Sequence, residues 1–174
     1  MTVRAADQVV SASPHDFIDR LSSPRVDATA IRNKRPDVKV TMQACFEALL
    51  GENASGGLTR IERLALALRV ARLNDDDALS SQYSSMLQAE YASPSLIDAV
   101  AQAGSSTGSQ GLDSILRHAD SASLSPGAAT SADLAALTDN GFTTTEIVVV
   151  TQIIGLVHLQ CRVLRGLHLL GAAL

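Results

Sequence analysis

The feature of this sequence that most constrains its fold is a long apolar run over residues 143–170. The run opens with Thr143 and Glu146 at capping-box spacing, so these two side chains can satisfy backbone donors of a first helical turn. Its first half is apolar on nearly every face, and a helix can hide that much surface only if other elements surround it. The run predicts a central core helix, entered through a turn in which Gly141 has a positive φ.

The composition predicts a helical protein. Hydrophobic residues make up 46% of the chain, while aromatic residues make up only 3% and tryptophan is absent. An interior of aliphatic side chains is typical of helices packed on helices. No segment alternates apolar and polar residues for long enough to indicate a strand. We therefore expect an all-α bundle of two helical halves, about residues 58–91 and 112–170.

Along the chain, residues 1–37 are predicted to be an N-terminal tail with a short helix that begins at Pro14. The charged segment 23–37, broken by prolines, is expected to be a connection. Residues 38–174 form the predicted helical domain. Within it, the glycine- and serine-rich segment 104–111 has the composition of a flexible linker between the two halves.

Charge and cysteine content limit the possible partners. The net charge is −4 and the 14 Lys and Arg residues are scattered, so we expect no nucleic-acid partner. Two cysteines are too few for a disulfide framework or a four-ligand metal site, which favours a reducing cytoplasm and predicts neither a metal nor a cofactor. The N-terminus lacks the apolar core of a secretory signal. The most apolar stretch, 147–157, is shorter than the roughly 20 residues of a membrane span, so no membrane association is expected.

Two segments show the order of features found in one known family. They are LTRIERLALALRVARLN, which begins at Leu58, and ILRHADSASLSPGAATSADLAALTDNGF, which leads into TTTEIVVVTQIIGLVHLQCRVLRGLHLLG. They resemble the alkylhydroperoxidase-like (AhpD-like) superfamily, also called carboxymuconolactone decarboxylase-like. Its last helix ends in a polar-x-x-polar-Arg pattern, here His158, Cys161 and Arg162. The resemblance covers somewhat under half of the chain and implies an AhpD-like helical bundle that assembles as a homo-oligomer, a trimer or a hexamer.

The sequence departs from this family where the peroxidase chemistry resides. In the peroxidase branch a catalytic Glu, here Glu62, precedes a Cys-x-x-Cys pair by about twelve residues, and a His follows four residues after the second Cys. These positions fall near Asn74, Asp77 and Ser81, so the thiol pair and its His are absent. A peroxidatic site needs one thiolate to attack the O–O bond and a second thiol to close a disulfide. We therefore do not expect the family's peroxidase activity, whereas decarboxylase-like chemistry remains possible.

Four polar residues are candidates for a site. Glu62 is either a proton-relay carboxylate or the capping partner of Thr59. His158 and Cys161, three residues apart on one helix face, are either a base and a nucleophile or a hydrogen-bonded His beside an inert Cys. Arg162 is either a ligand for a substrate carboxylate or a structural ion-pair partner.

Three further features have simpler interpretations. Tyr83 lies near the lost thiol positions and is either a substrate-binding residue or part of the core. Cys45 is predicted to be a small buried hydrophobic residue. The three consecutive aspartates at 75–77 are predicted to cap a helix, because adjacent residues do not converge on a cation as alternating ligands do.

Three functional hypotheses follow. The leading one is small-molecule binding or a non-redox reaction in a helical pocket near Glu62, Tyr83 and His158. The second is a peroxide-linked oxidoreductase that uses Cys161 as its sole thiol and His158 as base. The third is a structural partner subunit for a catalytic relative. Whether the chain is an enzyme stays open; an enzyme would be an alkylhydroperoxidase-like oxidoreductase or a carboxymuconolactone decarboxylase-like lyase.

Overall fold

The computed structural model describes residues 16–22, 27–128 and 130–172, and within these ranges it contains α-helices, one 3-10 helix and no strand. The predicted all-α fold is confirmed. The helices are α1 (Phe17–Leu21), α2 (Ala28–Arg32), α3 (Pro36–Leu50), α4 (Arg60–Leu73), α5 (Asp77–Ala89), α6 (Pro94–Ala101), α7 (Gln110–Leu124), the 3-10 helix Pro126–Ala128, α8 (Ser131–Asp139) and α9 (Thr144–Ala172). Pro14 and most of the predicted tail lie outside the described residues.

The centre of the bundle is α4. Residues 63–71 are all buried, and α4 packs against α3, α5, α6, α7 and α9. The prediction that residues 143–170 form the central helix is wrong, because α9 leaves one side exposed, including Val148 and Leu159. Two arginines, Arg63 and Arg69, make α4 look less apolar than α9 in sequence, yet both are buried.

Both buried arginines are satisfied by hydrogen bonds to groups outside α4. Arg63 donates to three main-chain carbonyl oxygens, those of Leu49, Ser55 and Leu58. Arg69 donates to a carboxylate oxygen of Asp120 at 2.8 Å and to the carbonyl oxygen of Val100 at 2.8 Å. Buried charged groups require partners of this kind. The two side chains thereby tie α4 to the loop before it and to α6 and α7.

The predicted helix starts and turn before α9 are confirmed. The N–H of Thr59 donates to Glu62 Oε2 at 2.8 Å, and the N–H of Thr143 donates to Glu146 Oε2 at 2.7 Å, so both capping boxes are formed. Gly141 has a φ of +89°. These features depend on residues only three or four apart, which is why the sequence identifies them.

Two connections are more structured than the sequence suggests. Helix α2 lies inside segment 23–37, where a connection was expected, and Arg32 at its end donates to Asp19 Oδ1 at 2.6 Å. The proposed linker is shortened by α7, which begins at Gln110. In this linker the N–H of Thr107 donates to Asp113 Oδ1 at 2.8 Å. Buried residues from both predicted halves belong to one hydrophobic core.

Candidate functional site

The turn between α4 and α5 meets the middle of α9. Asn74 is the C-cap of α4 and Asp76 is the N-cap of α5, and the intervening Asp75 has a φ of +51°. The N–H of Asp76 bonds back to the carbonyl oxygen of Ala71 at 3.1 Å, which closes the turn. We call the group formed by Asn74, Asp76, Ser123, His158 and Cys161 the His158 site.

His158 is half-buried and hydrogen-bonded at both ring nitrogens. Its Nδ1 lies 3.2 Å from Asn74 Oδ1, and its Nε2 lies 3.0 Å from Ser123 Oγ. Burial, together with the positive charge of Arg162 one turn further on, lowers the pKa of His158 below its ordinary value. The imidazole is therefore neutral at pH 7 and able to accept a proton.

Cys161 lies on the same face of α9 but in a different environment. Its side chain is 2% exposed. Burial raises the pKa of this thiol to about 12, and the nearby Asp76 carboxylate adds to the rise. The thiol is therefore protonated at neutral pH, so the structure does not pair Cys161 with His158 as an activated nucleophile and base.

Tyr83 is buried against α9. Its hydroxyl donates to Gln160 Oε1 at 2.5 Å, and its ring stacks on Phe17 with centroids 5.8 Å apart. Burial raises the pKa of Tyr83 above its usual value. Within the described part of the chain, Gln160 Nε2 and Ser80 Oγ are buried without a hydrogen-bond partner. Tyr83 therefore belongs to a polar pair inside the core.

Glu62 does not share this site. It lies in the first turn of α4, where its Oε2 accepts from the hydroxyl of Thr59 at 2.7 Å, whereas Asn74 ends the same helix. Twelve residues at about 1.5 Å rise each separate the two ends by roughly 18 Å. Glu62 therefore caps α4 far from His158.

The positions that the resemblance gives to the missing thiol pair and its His lie around the start of α5. Asn74 is the C-cap of α4, whereas Asp77 and Ser81 are exposed on α5.

Arginine side chains lie beside His158. Arg162 is exposed and, within the ranges the structure describes, forms no ion pair. Arg165 donates to the carbonyl oxygen of Asn74 at 2.8 Å, which fixes the end of α4 to α9. Sequence reasoning did not place Asn74 and Ser123 beside His158, because they lie 84 and 35 residues from it in the chain.

A second concave feature, the α3–α9 groove, runs between these two helices with a volume of about 580 Å³. Its lining is mostly apolar and includes Val38, Met42, Cys45, Leu49, Leu156 and Leu159. The prediction that Cys45 is buried is wrong, because its side of α3 faces this open groove. An exposed thiol and two half-exposed hydrophobic residues, Val38 and Leu159, therefore share one surface.

Neither a cluster of metal ligands nor a clear membrane segment emerges from the described residues. Over these ranges no three His, Cys, Asp or Glu side chains lie close enough to hold a metal ion. Helix α9 is long and apolar enough to cross a membrane by length and composition alone. Half of its most apolar window is buried inside the protein, as in the core helix of a globular domain.

Comparison with known proteins gives similarity at the level of structure. No family model and no curated protein matches the sequence. The "alkylhydroperoxidase AhpD core", an uncharacterized peroxidase-related protein from Ralstonia eutropha JMP134, aligns with a TM-score of 0.68 and 22% identity over 76% of this chain and 69% of that chain. An uncharacterized peroxidase-related protein from Silicibacter sp. TM1040 aligns with a TM-score of 0.68 and 16% identity over 84% and 85%. At these identities the likeness establishes the fold: the chain has the helical AhpD-like fold of peroxidase-related proteins.

Proposed function

We propose that this protein is an AhpD-like protein without peroxidatic thiol chemistry, and that the His158 site binds a small molecule or acts on it by a non-redox reaction. The observation that carries the proposal is the environment of Cys161. Attack on a peroxide requires a thiolate, and a buried thiol beside the carboxylate of Asp76 stays protonated.

The second cysteine does not replace Cys161 in this role. Cys45 lines the α3–α9 groove, and neither hydrogen-bond partner of His158 comes from α3. No disulfide joins Cys45 and Cys161, both of which are free thiols. A one-cysteine peroxidase based on Cys161, the alternative considered from sequence, would have to expose and ionise that thiol first.

The exposed guanidinium of Arg162 favours an anionic small molecule beside His158, although Asp76 brings a negative charge to the same site. Arg162 is exposed one turn beyond a neutral imidazole. A guanidinium binds a carboxylate through two parallel hydrogen bonds. A small carboxylate held by Arg162 is therefore the ligand class that we propose for this site.

The redox part of the proposal is tested with an organic hydroperoxide. Purified protein, the Cys161→Ser variant and the Cys45→Ser variant are each incubated with cumene hydroperoxide and dithiothreitol, and peroxide consumption is followed. We expect all three rates to equal the rate of the reductant alone. Turnover in the wild type that disappears in Cys161→Ser would establish a one-cysteine peroxidase and overturn the proposal.

The binding part is tested with benzoate as the probe. NMR signals of ¹⁵N-histidine-labelled protein are followed during the titration. We expect saturable shifts of the His158 signals that Arg162→Ala weakens at least ten-fold and that Arg117→Ala, which removes an exposed arginine on α7, leaves unchanged. Shifts that do not saturate, or that both variants weaken equally, would contradict a specific site.

A second candidate function, assembly through the α3–α9 groove, is favoured by its exposed apolar lining. Val38 and Leu159 are 49% and 45% exposed, and a contiguous apolar surface of this kind commonly marks an interface. We propose that a second copy of this chain covers it, which gives a homo-oligomer such as a trimer or a hexamer. The same surface would serve a partner subunit of a catalytic relative.

Light scattering after size-exclusion chromatography tests the assembly. We expect an oligomer for the wild type, dissociation for Leu159→Arg, and no change for Leu134→Arg, which places the same charge on an equally exposed leucine of α8. A wild-type monomer at micromolar concentration would overturn the proposed interface.

A further inference from the structure

Three polar side chains from three different helices meet in series at His158. Asn74 caps the end of α4, Ser123 lies one residue before the end of α7, and His158 lies in the middle of α9. The distances are 3.0 Å from Ser123 Oγ to His158 Nε2 and 3.2 Å from His158 Nδ1 to Asn74 Oδ1. A hydroxyl, an imidazole and an amide therefore lie within hydrogen-bond reach of one another, in that order.

The surrounding hydrogen bonds determine the direction of this chain. Asn74 Nδ2 donates to the carbonyl oxygen of Val70 at 2.8 Å, which turns Oδ1 toward His158. Because Oδ1 can only accept, Nδ1 of His158 carries the proton. Nε2 is then an unprotonated acceptor, and the hydroxyl of Ser123 donates to it.

We propose that Ser123, His158 and Asn74 form a nucleophile, general base and orienting group for acyl transfer from small carboxylic esters, an activity that rests on the non-redox role proposed above. The same three roles, in the same hydrogen-bonded order, define the hydrolytic triads that recur on unrelated folds. The three residues need no shared sequence motif, since such a triad is recognised by its geometry.

The reaction needs only an ester and water. Ser123 Oγ attacks the acyl carbon while its proton passes to His158 Nε2; the ester C–O bond then breaks, and the leaving alkoxide takes that proton. Water attacks the acyl-serine, its proton follows the same route through His158, and the carboxylic acid and free Ser123 are released. Positive charge for the oxyanion that forms in both steps would come from Arg162, which acts on His158 from one turn further along α9.

The structural alternative is that His158 only bridges α4 and α7. Both arrangements predict the same hydrogen bonds, but they differ in what Ser123 does. In a bridge, loss of its hydroxyl alters stability alone. In a triad, Ser123 also forms a covalent acyl intermediate, and the pKa of His158 governs the rate.

The test uses p-nitrophenyl acetate and a fluorophosphonate probe on the full chain. We expect hydrolysis above the buffer rate, a lowering of at least about 100-fold in Ser123→Ala, and no change in Ser121→Ala, the matched serine on the same helix. Peptide mass spectrometry is expected to locate the fluorophosphonate adduct on Ser123. Thermal melts of each variant establish that it is folded.

A second variant tests the orienting role. Asn74→Asp replaces the amide by a carboxylate, which stabilises the imidazolium, so the apparent pKa of the rate–pH profile is expected to rise. Absence of hydrolysis, an adduct at another residue, or equal rates in wild type and Ser123→Ala would each overturn the triad. Because the peroxide and benzoate experiments do not depend on Ser123, failure of the triad is distinguishable from failure of the non-redox proposal.

Discussion

The hydroxyl of Tyr83 donates to Oε1 of Gln160 across 2.5 Å, and neither side chain is exposed to solvent. We expect Tyr83→Phe to lower the free energy of unfolding by about 1–3 kcal/mol, because the buried Gln160 amide then has no partner for its oxygen. Urea denaturation of this variant measures the loss.

A double-mutant cycle gives the control. Gln160→Leu leaves the Tyr83 hydroxyl unpaired, whereas Tyr83→Phe combined with Gln160→Leu removes both polar groups. Replacing both partners by apolar groups costs less than the sum of the single losses. Strictly additive losses would mean that this hydrogen bond does not couple α5 to α9.

Stability at mildly acid pH should depend on His158. The pKa of His158 in the folded protein lies below the ordinary value of 6.5, which the unfolded chain keeps. At pH values between these two pKa values, the unfolded chain binds more protons than the native protein. The stability that the neutral His158 contributes is fully present above about pH 6.5, and it is lost as the pH falls through the pKa of His158 in the folded protein. Urea midpoints from pH 7.5 to 5 are expected to fall, and to fall less steeply in His158→Gln.

His118 contributes in the same direction, because burial also lowers its pKa. A His118→Gln variant therefore provides the matched comparison, and the combination of both substitutions should flatten the profile further. A slope that neither substitution changes would show that other groups titrate in this range.

The two thiols should differ sharply in reactivity. Cys45 is exposed and Cys161 is buried, and burial raises the pKa of Cys161 to about 12. At pH 8, Ellman's reagent is expected to modify one thiol per native chain and two in denaturant. Cys45→Ser should abolish the native reaction. Rapid modification of native Cys45→Ser would instead mean that Cys161 is accessible.

Glu62 offers a test of whether a conspicuous carboxylate is functional or structural. Its Oε2 accepts from both the N–H and the hydroxyl of Thr59. We expect Glu62→Ala to lower the free energy of unfolding by about 1 kcal/mol, a typical capping contribution, and to leave the NMR titration of His158 unchanged. A shifted His158 titration would place Glu62 in the site after all.

Features set by near neighbours in sequence could be predicted, and features set by distant partners could not. The starts of α4 and α9 follow from capping boxes whose two side chains are three residues apart. The central position of α4 could not be predicted, because an arginine such as Arg69 is expected at the surface. Arg69 is buried because it pairs with Asp120, which lies 51 residues away in the chain.

The candidate site likewise contains some residues that the sequence identifies and others that it does not. His158 and Cys161 stand out in sequence as polar residues in an apolar helix. The partners of His158 lie 84 and 35 residues away, so nothing in the sequence brings Asn74 and Ser123 together with it.

The C-terminal end of α5 offers a stabilising substitution. Tyr91 follows the helix with a φ of +60°, and its side chain is 96% exposed, so it occupies a left-handed conformation without packing in return. The N–H of Ala92 bonds back to the carbonyl oxygen of Leu87 at 3.1 Å, in the helix-ending turn in which glycine is usual. We expect Tyr91→Gly to raise the free energy of unfolding by about 0.5–1 kcal/mol, since glycine adopts this conformation without a steric cost. Tyr91→Ala keeps the unfavourable Cβ, so it should not raise the free energy of unfolding. Equal free energies of unfolding for Tyr91→Gly and Tyr91→Ala would show that the left-handed backbone at residue 91 does not lower the stability of the protein.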